Sequence, residues 1–91
     1  MDVGPGSIIY SKAGRDKGTY FVVMSVDGEY VNICDGKGRK TDKPKKKKIK
    51  HLKVLGDGDA SINKMLQSNQ PVTNKQVYGA IKKLNANKGE E

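Results

Sequence analysis

The chain is 91 residues long, with eighteen Lys and Arg against ten Asp and Glu, 34% hydrophobic residues and no Trp. That length admits one small domain with a thin core, and the net charge of +8 points to a polyanionic partner. A single cysteine and a single histidine exclude an intramolecular disulfide and a tetrahedral Cys/His zinc site, and no apolar run approaches a membrane span, so a cytoplasmic protein without cofactor, metal or membrane contact is expected.

In chain order, the turn cluster Gly4-Pro5-Gly6 introduces a short strand over 7–12. A connection rich in charge and glycine, 13–18, follows it. Residues 19–26 are β-branched and aromatic with no breaker, the strongest strand signal in the chain. Asp27-Gly28 supplies the positive φ of a tight hairpin. Residues 29–34 return in strict alternation, with Tyr30, Asn32 and Cys34 on one face and Glu29, Val31 and Ile33 on the other. Val31 and Ile33 mark the face for the core.

The charge is concentrated next. Residues 36–53 hold ten of the eighteen Lys and Arg and one acid, a net +9, whereas the rest of the chain sums to −1. Because 35–48 contain Gly36, Gly38 and Pro44 but no apolar side chain, they predict an exposed loop of mutually repelling lysines. Residues 49–55 read as a last strand; Ile49 and Leu52 break the two-residue period, so a bulge or a start delayed to His51 is expected.

Gly56-Asp57-Gly58-Asp59 separates the β region from a helical one. It is no calcium loop, since Ser68 stands where the twelfth-position acid would be. Asp59 or Ser61 is the N-cap of a short helix carrying Ile62, Met65 and Leu66, and Pro71 ends it. Thr73-Asn74-Lys75-Gln76 is a capping box for a second helix, whose Val77, Ala80, Ile81 and Leu84 form one apolar stripe with Lys75, Lys82 and Lys83 on other faces. Two such helices bury their stripes on each other or on the open side of the sheet, and the sheet is favoured because neither helix is long enough to stand alone. The organisation predicted is a mainly β domain over 1–56 with a basic loop at 36–48, and a helical C-terminal extension over 57–91 with a flexible end.

Three stretches in succession resemble the KOW family of small β-barrels: Gly6-Ser7-Ile8-Ile9-Tyr10-Ser11, Ala13-Gly14-Arg15-Asp16-Lys17-Gly18, and the hydrophobic strand from Tyr20 to Val23. With Tyr30-Val31, Asp35-Gly36, Arg39, Lys43-Pro44-Lys45-Lys46-Lys47 and Lys50-His51-Leu52, the resemblance extends to short bacterial KOW proteins related to archaeal and eukaryotic large-subunit ribosomal proteins. It covers residues 4 to 55 and leaves the helical tail outside. It implies an SH3-like barrel of about five strands that binds structured RNA, often ribosomal RNA, through inter-strand loops, with no catalytic activity.

Composition and resemblance meet in the candidate RNA-binding residues. Lys12, Arg15 and Lys17 flank the first glycine-rich connection, where Gly14 permits a tight turn and Arg15 can hold a phosphate bidentately or stack on a base. Lys37, Arg39, Lys40 and Lys43 lie in the basic loop, and Lys45, Lys46, Lys47 and Lys48 suit diffuse attraction. Lys50, His51 and Lys53 close the set; the competing role for Lys50 and Lys53 is guarding a sheet edge, and for Arg15 that of a solvent-facing turn residue. Tyr10, Tyr20 and Tyr30 are either stacking platforms or core. Cys34 and His51 have no orienting third residue, so an enzyme is not expected. Two function classes compete: an RNA-binding module on ribosomal RNA or the ribosome, or a module that docks on an acidic protein through the helical tail. A general nucleic-acid binder is a third outcome, because backbone attraction alone does not separate RNA from DNA.

Overall fold

The computed structural model describes residues 3–12, 14–15, 17–56 and 58–89, the last five and Gly56 by backbone only. Asp57 of the breaker cluster and residues 90 and 91 of the expected flexible end lie outside the described residues, as do Ala13 and Asp16 of the first connection. Five strands, β1 (Ile8–Ser11), β2 (Tyr20–Asp27), β3 (Tyr30–Cys34), β4 (Lys45–Lys48) and β5 (Leu52–Gly56), form one antiparallel sheet in the order β4-β3-β2-β1-β5. Two helices follow, α1 (Ala60–Gln67) and α2 (Asn74–Gly89), and a 3-10 turn (Ile49–His51) joins β4 to β5. Among the described residues no helix is long and apolar enough to cross a membrane.

The tight hairpin forms one residue along from the expected Asp27-Gly28 turn: Asp27 ends β2 opposite Tyr30, and the two turn residues are Gly28, at φ +62°, and Glu29. Alternation then sorts the strands into two buried faces. Ile9, Phe21, Val23, Val31, Ile33 and Leu52 pack together on one of them. Ile8, Val22 and Cys34 lie on the other, beneath Ile62, Val72, Val77, Ala80 and Ile81 from the helical region. The sequence pattern identified only the first face; Cys34, on the side with polar Asn32 and Tyr30, is fully buried because α2 covers the end of β3. Placing both helices on the sheet is the expected solution for stripes that cannot bury themselves.

The helix boundaries follow local chemistry. The Asp59 carboxylate accepts from the backbone N–H of Ile62, capping α1. The helix stops before Pro71: Asn69 adopts φ +58° and the Gln70 N–H returns to the Met65 carbonyl, a left-handed exit that needs no proline. Ahead of α2, Thr73 N–H donates to Gln76 Oε1 at 2.9 Å and Gln76 N–H donates to Thr73 Oγ1 at 3.1 Å, the two halves of a capping box.

The expected late start of the last strand is a 3-10 turn: Ile49, Lys50 and His51 leave the ladder and β5 begins at Leu52. A second expectation is corrected. The stretch predicted as a loop through Lys48 is a strand at its end, since Lys45, Lys46, Lys47 and Lys48 pair with Ile33, Asn32, Val31 and Tyr30.

Candidate nucleic-acid interface

Pairing splits the four lysines of β4 into two kinds. Directly paired residues of an antiparallel ladder share a face, so Lys45 and Lys47 stand with buried Ile33 and Val31, and Lys46 and Lys48 stand with Asn32 and Tyr30. Lys47 runs its aliphatic stem along the apolar face and donates from Nζ to Ser11 Oγ at 3.0 Å, where Ser11 is fully buried. In a flat sheet β1 lies three strand spacings from β4, about 14 Å, well beyond a lysine's reach. The bond therefore requires the sheet to curl over this face.

Lys46 and Lys48 meet a different environment. Their ammonium groups lie 5.3 and 5.8 Å from the centroid of the exposed Tyr30 ring. Lys46 also faces Asp27 at 3.6 Å, and Lys48 faces Glu29 at 4.0 Å. These pairs at the β2–β3 hairpin are exposed and worth less than about 1 kcal/mol each, but they offset part of the charge that the tract presents to a polyanion.

The first glycine-rich connection joins the Lys47 side of the sheet. Gly14, at φ +80°, lies where an added Cβ would stand 3.6 Å from Lys47 Nζ, so the connection passes beside the ammonium group. Lys17 N–H donates to the Gly14 carbonyl, closing a turn that leaves Arg15 and Lys17 exposed. Lys12 N–H donates to the His51 carbonyl at 3.1 Å, tying the start of this connection to the 3-10 turn that bears Lys50. Lys12, Arg15, Lys17, Lys47, Lys50 and His51 thus come from two segments far apart in sequence and are held by three backbone or side-chain bonds at one locality. Lys53, opposite Tyr10 on β5, flanks it. The Tyr10 and Tyr20 rings meet edge to face at 5.2 Å, and Tyr20 packs against the helical core, so this pair is largely structural.

The remaining loop residues are held elsewhere. Asp35 Oδ1 accepts from the N–H groups of Lys37 and Arg39 at 2.9 and 2.8 Å, folding 35–39 into a closed turn. Thr41 N–H donates to Asn74 Oδ1 at 2.7 Å, and Gly36 lies against the backbone of Asn74 and Tyr78. The loop is therefore fixed to the first turn of α2. Lys37 Nζ lies 5.8 Å from the Tyr78 centroid, while Arg39, Lys40 and Lys43 are exposed on the same loop. Sequence reasoning passed over Ser11 and Tyr78; the legible signal for Tyr78 was an aromatic residue just outside the apolar stripe of α2.

Burial, with the Asp35 carboxylate adding to it, pushes the Cys34 thiol up to about 11, whereas His51 is exposed on the 3-10 turn. Among the described residues no group of three His, Cys, Asp or Glu side chains could hold a metal ion.

No family model matches the chain. A search of curated proteins likewise finds no match.

Proposed function

We propose that this protein is an RNA-binding module of the KOW type, an SH3-like barrel that contacts structured RNA, with ribosomal RNA or the ribosome as its cytoplasmic target. The reading is carried by the convergence at Lys47, where the Arg15 turn, β4 and the 3-10 turn bring basic side chains from two distant segments to one locality. It is supported by a sheet in the order β4-β3-β2-β1-β5, curled, with a 3-10 turn between its last two strands. The resemblance of residues 4–55 to KOW proteins points the same way. No reaction is part of this proposal.

In this function Arg15 supplies a directed contact and the lysines supply attraction. Lys47, anchored through Ser11, presents a positioned ammonium group, while Lys46 and Lys48 must exchange Asp27 and Glu29 for phosphates. The test is fluorescence anisotropy with a structured RNA hairpin, a duplex DNA and an acidic protein across a salt series. About five phosphate contacts give a log–log slope on the order of −4. A slope near zero, or preference for the acidic protein, overturns the reading; equal affinity for RNA and DNA reduces it to general polyanion binding.

A further inference from the structure

The 35–41 loop and α2 meet along a seam away from Lys47, and the seam has its own composition. Tyr78 is 41% exposed, one of three large hydrophobic side chains left open among the described residues, with Val26 and Tyr30. It stands outside the stripe of Val77, Ala80 and Ile81 that α2 buries, and Lys82, one turn on, and Lys75, three residues before, are exposed beside it on adjoining helix positions. From the loop side, Lys37 Nζ reaches 5.8 Å from the ring centroid. The seam is fastened at two points. Gly36 touches the α2 backbone, and Asn74 binds Thr41 across it. The nearby Asp35 carboxylate is held in the loop by two backbone N–H groups, and its single negative charge is outnumbered by Lys37, Lys75 and Lys82.

An exposed aromatic ring with the Lys37 ammonium group over it, and Lys75 and Lys82 at neighbouring exposed helix positions, is complementary to one chemical unit: a flat, π-faced base attached to a phosphate. We propose that Tyr78 is the stacking platform for an unpaired nucleotide, with Lys37, Lys75 and Lys82 on its flanking phosphates, so that the protein grips a single-stranded nucleotide beside the structured RNA held at Lys47. The inference rests on the RNA-binding reading and adds a second, distinct contact to it. At 5.8 Å the Lys37 ammonium group is at the outer limit of a cation–π contact, and a stacked base displaces it onto the adjoining phosphate. The hydroxyl has no part in stacking, so phenylalanine should serve as well as tyrosine.

The experiment uses the full chain and two probes: a blunt RNA hairpin, and the same hairpin with a short single-stranded uridine overhang. Wild-type protein should bind the overhang form roughly fivefold or more tightly than the blunt form, the gain expected of one stacked base. Tyr78→Ala should abolish that gain and leave the blunt hairpin unaffected, and Tyr78→Phe should retain it. Independently of any variant, photoactivated 4-thiouridine in the overhang should cross-link to the peptide containing Tyr78. Equal binding of the two hairpins by the wild type, or an equal loss on both by Tyr78→Ala with no cross-link, overturns the inference alone, provided the blunt hairpin binds with a steep salt dependence. If neither hairpin binds, the RNA-binding reading falls and this inference falls with it. Capture of the seam by a protein instead of the overhang also overturns it.

Discussion

Gly36→Ala tests whether the basic loop is a fixed part of the fold. Gly36 has φ +79°, a conformation that costs a residue with a Cβ about 1–2 kcal/mol. A Cβ there would also stand 2.9 Å from the Tyr78 backbone nitrogen and closer still to the Asn74 carbonyl oxygen. Both are helix backbone and cannot swing aside, so the loop must lift from α2 and surrender the Thr41 N–H to Asn74 Oδ1 bond, worth about 1 kcal/mol. The expected loss is about 2–4 kcal/mol of unfolding free energy, a large share of the 5–15 kcal/mol usual for a domain. Gly38→Ala is the control: it has no positive φ, and its Cβ would meet only Asp35 Oδ2 at 3.8 Å, so it should stay within about 0.5 kcal/mol of wild type. Urea unfolding followed by circular dichroism reads both variants. If Gly36→Ala and Gly38→Ala have the same midpoint, the loop does not pack on α2 and the seam argued from it does not exist.

The lysines of β4 should prove unequal in the same assay. Lys47→Ala should lose about 1–2 kcal/mol with the charge-assisted bond to buried Ser11, while Lys46→Ala, in an exposed pair, should change stability by less than about 1 kcal/mol; equal losses would refute the alternation. Arg15→Ala should weaken binding to a structured RNA by about 1–3 kcal/mol and reduce its preference over generic duplex while barely moving the salt slope, and a variant that binds like wild type would leave Arg15 a plain turn residue. Cys34 gives a pH signature. Its thiol is raised from 9.0 to about 11, so above pH 9 the unfolded chain loses a proton that the folded chain keeps. Stability should be flat with respect to this group below about pH 8 and fall between pH 9 and 11 by at most about 1.4 kcal/mol per pH unit relative to Cys34→Ala, and parallel curves for the two proteins would contradict the burial argument.

Much of the fold was legible because its signals are local. The hairpin glycine, the capping box and the Val77-Ala80-Ile81 stripe each state their conformation within a few residues, and the structure bears them out, with the hairpin turn moved one residue on to Gly28-Glu29. Cys34 was not legible as core, since its burial depends on a helix forty residues away, and neither was β4. A strand composed only of lysine has no apolar alternation and poor intrinsic β preference; what makes it pair is the exposed edge of β3 and the hydrogen bonds of its ladder. At the candidate site, the residues near Arg15 and those near Lys50 were individually readable, but their meeting depends on the curl of the sheet, which short-range patterns do not encode.

The composition of β4 then has a physical reason beyond attraction. The sheet order leaves β4 at one edge and β5 at the other, and an open edge invites pairing with a second chain. Lysine on an edge strand opposes that pairing, and the role first weighed for Lys50 and Lys53 extends to Lys45, Lys46, Lys47 and Lys48, with Lys53 on β5 keeping it. Four consecutive like charges would themselves repel the strand from the sheet. The fold meets that cost by alternation: one pair is tied to the inner face, with Lys47 on Ser11, and the other is spread over Tyr30, Asp27 and Glu29. A bound phosphate backbone would relieve the same repulsion further. If the protein binds a polyanion as proposed, the tract that lines the edge of the free protein would also be the one most stabilised in the complex, and a single set of side chains would serve both edge protection and binding.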